Sequence, residues 1–289
     1  MKIKILIPVY NDFESASKLI NEINSTITNL SQEFSIILVN DASTDKVEID
    51  ISKIDKIGSI KIINMKENRG HARCNAAGLK YIFENEEFDY VIPMDGDGED
   101  RPEEILKFVE FIKYEDSKPI VGERIKRSEG LIFKLSYEVH KLITYVFTGN
   151  SIKFGNYTCL PKSTVEKMIN DKATWSSFSG SLAKLEKNRS TIPSIRGTRY
   201  FGPSKMSFYN LIKHSLSIIA VFKINVIIRS ILFFLIYFVL ILKNITYITS
   251  IPLILVVIFV VSVLGISKRE NLDQLNNSLL NISNIDNLK

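Results

Sequence analysis

Residues 88–105 read FDYVIPMDGDGEDRPEEI, an apolar run that passes directly into a turn dense in carboxylates. The run at 90–94 is too short for a helix, and its unbroken apolar character marks a strand covered on both faces. Asp95, Asp97 and Glu99 stand at alternate positions just past it. Three carboxylates so spaced repel one another unless a positive charge lies between them. Asp100, with Pro102 and Glu103 following, has the pattern of a capped helix start. Asp95 and Asp97 precede that cap and are not explained by it. A calcium loop of the EF-hand type also opens Asp-x-Asp, but it requires Gly at its sixth position and Glu at its twelfth; here those are Asp100 and Leu106. An Asp-x-Asp pair at a strand end instead suits a hard divalent cation, Mg²⁺ or Mn²⁺, that keeps positions open for phosphate oxygens.

The same alternation extends in both directions. KILIPV (4–9), FSIILVN (34–40), IKIINM (60–65) and KPIVGE (118–123) are further strand-like runs, with helical patterns at 13–29, 71–84 and 102–113 between them. Such alternation predicts an α/β fold with a mostly parallel sheet covered by helices on both faces. In sheets of this kind ligands bind beyond the carboxyl ends of the strands. The segments expected there, PVYND (8–12), VNDASTD (39–45), NRGHAR (68–73) and MDGDGED (94–100), are polar and turn-forming. From 126 to 205 the pattern is mixed: helices at 130–148, 163–170 and 176–187, and strands around YTCL (157–160) and at 190–196. This stretch is read as the acceptor-side half of one catalytic domain, 1–205.

With 289 residues, 45% hydrophobic and 24% charged, the chain accommodates one sizeable domain and a smaller part. The net charge of +5 is modest, and Lys and Arg are interspersed with acids until the last third, which speaks against a nucleic-acid partner. Cys74 and Cys159 lack metal-like spacing and His71, His140 and His214 lie far apart, so neither zinc nor a disulfide is expected and both thiols are read as core. The N-terminal apolar run, broken by Pro8, is too short for a secretory signal.

After residue 205 the composition changes. Met206, Phe208, Leu211, Ile212, Leu216, Ile219 and Phe222 recur three or four apart, the pattern of an amphipathic helix, 206–222, lying in a membrane interface. The stretch 224–242 is apolar apart from Asn225 and Arg229, and 244–266 carries no charge; each is long enough to span hydrocarbon, giving a transmembrane hairpin over 223–267. Lys213, Lys223 and Arg229 accompany the entry to the first span and Lys268 and Arg269 follow the second, against Lys243 alone in the turn. The positive-inside rule then predicts a protein of the cytoplasmic membrane with 1–205 and the tail 268–289 both cytoplasmic. The tail is Asn-rich without a clear packing face and is read as weakly ordered, its NIS at 281–283 unglycosylated on that side. Self-association through the apolar spans is left open.

Four motifs in order, IPVYND (7–12), LVNDASTD (38–45), ENRGHARCNAAG (67–78) and MDGDGEDRPEEI (94–105), resemble the signature of glycosyltransferase family 2, inverting enzymes of GT-A (Rossmann-like) fold that use nucleotide-diphosphate sugars. VGERIKR (121–127), FGNYTCLPKS (154–163) and RGTRYFGPSKMSFYNLIKHSLSII (196–219) resemble its polyprenyl-phosphate branch, related to dolichol-phosphate-mannose synthase. By position, the resemblance implies that Pro8, Tyr10, Asp12 and Asp41 line the nucleotide site. Asp95 and Asp97 would hold the diphosphate and the metal, with Glu99 a third ligand where relatives usually carry Gln. Arg124 would assist catalysis at the diphosphate, and Arg127, Arg199, Ser204 and Lys205 would meet the diphosphate or an acceptor phosphate.

Relatives that glycosylate hydroxyl groups commonly carry a Glu-Asp base after the metal motif. The corresponding NDKATWSSFSGSLAK (170–184) offers only Asp171. A phosphate monoester, with a second pKa of about 6, is already an anionic nucleophile, so the expected acceptor is a polyprenyl phosphate such as undecaprenyl or dolichyl phosphate. Processive polysaccharide synthases carry Gln-x-x-Arg-Trp, and the single tryptophan, Trp175, lacks that context. Two other readings stay open: a family 2 enzyme acting on a hydroxyl of a cell-surface glycan or glycolipid, and an inactive membrane-anchored nucleotide-sugar-binding or scaffold protein.

Overall fold

The apolar runs fold as strands β1 (Lys2–Val9), β2 (Glu33–Asn40), β3 (Ile57–Met65), β4 (Tyr90–Pro93), β5 (Ile120–Lys126), β6 (Phe154–Pro161) and β7 (Ser190–Ile195). The structure, a computed structural model, describes residues 1–114, 117–126, 131–202 and 207–289. With β8 (Ile282–Asn287) the strands form one sheet in the order β7-β5-β6-β4-β1-β2-β3-β8. β4, β1, β2 and β3 are parallel, while β6 runs antiparallel to β4 and β5, and β8 antiparallel to β3. From β1 the chain winds outward through β2 and β3, then returns to the other side of β1 for β4. The winding therefore reverses between β1 and β4, the switch point at which open sheets form a binding crevice.

Side chains alternate across the pleat. Ile5 and Ile7 of β1, with Ile36, Ile60 and Ile92, pack under α1 (Phe13–Thr26) and α3 (Glu104–Ile112) through Leu19, Ile20, Ile23 and Phe108. Leu6, Ile37 and Val39 face α2 (His71–Asn85), α5 (Lys162–Ile169) and α6 (Phe178–Leu185). Gly78 lets α2 seat closely, since a Cβ there would lie 2.4 Å from Leu6 Cδ1 and 3.0 Å from Val39 Cγ2. Cys74 and Cys159 are buried free thiols, as expected of core residues.

The remaining helices are α4 (Leu131–Thr148), α7 (Phe208–Ala220), α8 (Lys223–Ile241) and α9 (Tyr247–Ser267). α8 and α9 are long and apolar enough to cross a membrane, and only 17% and 11% of their apolar windows are buried, so they are not core helices. Asn225 and Arg229 of α8 are engaged at the end of α4: Asn225 Nδ2 donates to the Thr148 carbonyl at 2.9 Å and Arg229 Nη1 to that of Val146 at 2.9 Å. At the foot of the hairpin, Lys223 pairs with Glu270 at 2.9 Å.

The segment after the hairpin corrects the expectation of a weakly ordered tail. The Asn271 side chain caps α10 (Leu272–Asn276), accepting from the Gln274 N–H at 2.8 Å. Leu275 is fully buried beside Ala76 and Trp175, and Trp175 Nε1 donates to Gln274 Oε1 at 2.8 Å. β8 then extends the sheet beyond β3. Its polarity concealed it for a physical reason: an edge strand is held by main-chain hydrogen bonds, and five of the six β8 side chains stay exposed, so no apolar periodicity is required.

Candidate active site

At the carboxyl ends of β1 and β4 the acids gather, and each faces a cation or imidazole of the protein. His71 Nε2 lies 3.0 Å from Asp95 Oδ1. Arg199 Nη1 donates to Asp97 Oδ2 at 2.8 Å, and the same guanidinium donates through Nη2 to Asp12. Arg196 pairs with Glu99. The main chain joins in, with the Gly197 N–H donating to the Glu99 carbonyl at 2.8 Å and the Tyr200 N–H to that of Asp97 at 2.9 Å. Segment 196–201 therefore lies along the acidic turn. Gly98 makes this approach feasible: its φ is +86°, and a Cβ there would fall 2.5 Å from the Tyr200 ring.

Asp100 is not the cap that its spacing suggests. α3 begins at Glu104 with Glu103 before it and no side-chain cap, so Pro102 stays in the turn and Asp100 is too far back to reach the helix. Its buried carboxylate instead accepts the Asp95 N–H at 2.9 Å. Arg124 approaches from β5; a Cβ on Gly155 would lie 2.7 Å from its Nη2, and its charge acts on both Asp95 and Asp100.

Burial and the charge of Asp95 push Asp97 up to about 6, against the pull of Arg199 and Arg196. Burial and Asp95 push Asp100 up to about 8. Burial opposes ionisation of Asp95 too, but His71, with Arg196 and Arg124, holds its carboxyl below the usual range. The buried carboxylates of this turn thus disfavour one another's ionisation. A hard divalent cation takes carboxylate oxygens as donors, so this turn fits one. It is not preassembled: among the described residues no group of three or more His, Cys, Asp or Glu side chains converges as a metal-holding set. Glu99, expected as a third ligand, is turned to Arg196.

Asp41 is buried at the end of β2, where Oδ1 accepts the Arg69 N–H at 2.9 Å and Oδ2 the Gly70 N–H at 2.8 Å. Burial raises its pKa while those two bonds pull it down. It ties the β2 turn to the loop before α2. Pro8 is the penultimate residue of β1, Tyr10 is exposed, and Asp12 precedes α1. Arg127, Ser204 and Lys205 lie outside the described residues. The sequence reading missed His71, Arg196 and Tyr200 as site residues. Arg196 had a signal, standing three residues before Arg199 in RGTR; His71 had only its place in a strand-end loop.

The family model for glycosyl transferase family 2 matches residues 4–173, more than half of the 289. The undecaprenyl-phosphate 4-deoxy-4-formamido-L-arabinose transferase of Salmonella choleraesuis (strain SC-B67) is 30% identical over 216 residues, 73% of this chain and 64% of that protein. The match therefore spans just under two thirds of that relative's length. Mycobacterium tuberculosis glucosyl-3-phosphoglycerate synthase, crystallised with Mn²⁺, UDP and glucosyl-3-phosphoglycerate, gives a TM-score of 0.55 at 13% identity, covering 78% of this chain and 79% of that one. S. aureus TarS 1–349, in complex with UDP-GlcNAc, gives 0.52 at 16% identity, covering 97% and 89%. At those identities the likeness is one of fold, a GT-A-like mixed sheet. With the family's motifs gathered at the switch point of that sheet and its model matched over most of the catalytic part, the chain belongs to glycosyl transferase family 2.

Proposed function

We propose that this chain is a membrane-anchored inverting glycosyltransferase that moves a sugar from a nucleotide-diphosphate sugar to the phosphate of a polyprenyl lipid. Asp171 carries the acceptor class. It is the one acid in 170–184, and both its oxygens are engaged: Oδ1 accepts the Ala173 N–H at 2.8 Å and Oδ2 takes Lys184 Nζ at 2.7 Å. A hydroxyl acceptor needs a positioned base to take its proton; a phosphate monoester arrives as an anion. The Salmonella relative, named as an undecaprenyl-phosphate sugar transferase, supports the same acceptor.

In the reaction an oxygen of the lipid phosphate forms a bond to the anomeric carbon from the face opposite the diphosphate. The carbon–oxygen bond to the diphosphate breaks, its electron pair leaves on the nucleoside diphosphate, and no proton is transferred. Charge grows on the leaving group. Arg199 and Arg196, already at the acidic turn, neutralise it, together with Arg124, whose charge acts on Asp95 and Asp100. Pro8, Tyr10, Asp12 and Asp41 receive the nucleoside, while Arg127, Ser204 and Lys205 remain the expected contacts of the acceptor phosphate. When bound on Asp95 and Asp97, Mg²⁺ or Mn²⁺ supplies further positive charge to the departing diphosphate; the Mycobacterium tuberculosis enzyme was crystallised with Mn²⁺.

Packing of 272–287 on the sheet, and the Lys223–Glu270 pair at the foot of the hairpin, support a topology in which 1–205 and 268–289 share one side of the membrane. The Lys and Arg bias makes that side cytoplasmic. α7 then lies at headgroup level, where a lipid phosphate resides. Membranes carrying the chain, given a panel of radiolabelled nucleotide sugars with and without undecaprenyl phosphate, should pass label into the lipid extract only with the lipid added. Nucleotide-sugar binding without transfer to any acceptor would favour the scaffold reading instead.

A further inference from the structure

The last strand is tied into the nucleotide side of the crevice by side chains. Asn64 Nδ2 donates to Asp286 Oδ2 at 2.7 Å, and Asn40 Nδ2 donates to Asn64 Oδ1 at 2.8 Å. Asn40 Oδ1 then accepts the Ser43 N–H at 2.9 Å, and Ser43 Oγ accepts the Asn11 N–H at 2.9 Å. The relay crosses β8, β3, β2 and the end of β1 in spatial order. It terminates in two turns that each hold a non-glycine residue in left-handed backbone, Asn11 at φ +51° and Ala42 at φ +56°, a conformation that surrounding contacts must sustain. Asn40 is buried, where an amide costs stability unless it is hydrogen-bonded. The strand positions before it in β2 are served by Ile36, Ile37, Leu38 and Val39, so apolar side chains would have satisfied packing alone.

A second contact reaches the other loop. The Lys66 N–H donates to the Asn281 carbonyl at 2.7 Å, and Asn281 Nδ2 donates to the Glu67 carbonyl at 3.0 Å. This fixes the chain just before Arg69 and Gly70, whose N–H groups hold Asp41.

We infer that the C-terminal strand sets the loops that receive the donor's nucleoside, with Asp286 and Asn64 as positioning residues for donor binding. The inference rests on the proposed nucleotide site and deepens it: a segment that follows the apolar hairpin in sequence completes the donor pocket of the domain that precedes the hairpin. Asp286 is exposed on an edge strand, so its loss leaves the core intact while releasing the relay at its outer end.

The test uses the whole 289-residue chain in detergent, with calorimetry of UDP and GDP in Mn²⁺ alongside steady-state kinetics. Loss of one such hydrogen bond corresponds to about a 3- to 10-fold effect. Asp286→Ala should raise the nucleotide Kd and the donor KM by about that factor, with kcat within about twofold and melting unchanged. Asp286→Asn, which keeps an acceptor oxygen for Asn64, should restore binding. Asn287→Ala, on the same strand outside the relay, should change nothing. If Asp286→Ala binds nucleotide as tightly as the unaltered chain, or Asn287→Ala weakens binding equally, the relay has no positioning role although the proposed function stands. If the unaltered chain binds neither nucleotide in Mn²⁺, the donor-site reading and this inference fall together.

Discussion

Asp171→Asn separates a base-assisted reaction from one that needs no base. The substitution keeps an oxygen to accept the Ala173 N–H at 2.8 Å and removes the charge facing Lys184 at 2.7 Å. Those side chains are 18% and 40% exposed, so loss of the pair costs less than about 1 kcal/mol. A positioned general base contributes about 10²- to 10⁴-fold to rate. The two roles thus differ by at least about two orders of magnitude in kcat. Initial rates with saturating donor and polyprenyl phosphate should stay within about twofold of the unaltered chain, with the melting temperature nearly unchanged. A fall of about 100-fold at preserved melting would show Asp171 to be the missing base, and the inference of a phosphate acceptor would lose its main support.

Asp97→Ala should abolish transfer with the fold intact, and nucleoside diphosphate binding to the unaltered chain should require a divalent cation; equal affinity in EDTA and Mn²⁺ would contradict this. Glu86 accepts from Lys4 Nζ at 2.8 Å and Lys61 Nζ at 2.6 Å with 8% of its side chain exposed, so Glu86→Ala should destabilise by about 2–3 kcal/mol in denaturant melts at pH 7. Burial opposes its ionisation, but both lysines hold its carboxyl below its ordinary 4.5; its contribution is complete above that pH and is lost as pH falls through the lowered value, so a mutational cost that grows on acidification would refute the pairing. For topology, Lys243→Cys should react with an impermeant maleimide in intact cells and Ser283→Cys only after lysis; the reverse pattern would invert the hairpin.

The parallel core was legible because β1, β2 and β4 are buried on both faces and so read as continuous apolar runs. The polar segments at the strand ends marked where ligand loops should emerge, and Asp95 and Asp97 were singled out there, whereas Asp41 came with the family resemblance and the strand order was not read from the sequence. Asp100 was misread because a capping pattern fixes only spacing, whereas the turn through Pro102 decides which way the carboxylate faces. The pairing of Arg196 with Glu99 depends on segment 196–201 returning along the acidic turn, a contact between residues about a hundred positions apart that no local pattern encodes. β8 was invisible for the complementary reason: its hydrogen bonds are main-chain, and its side chains Asn284, Asp286 and Asn287 are those of a solvated loop.

The central claim is the acceptor. The purified 289-residue chain, supplied with a nucleotide sugar that it turns over and with Mn²⁺, is offered undecaprenyl phosphate, undecaprenol or a soluble oligosaccharide in parallel, and label transfer is followed to each. Transfer to the phosphate alone is the predicted result. Glycosylation of the free alcohol or the oligosaccharide at the same rate as the phosphate would contradict it.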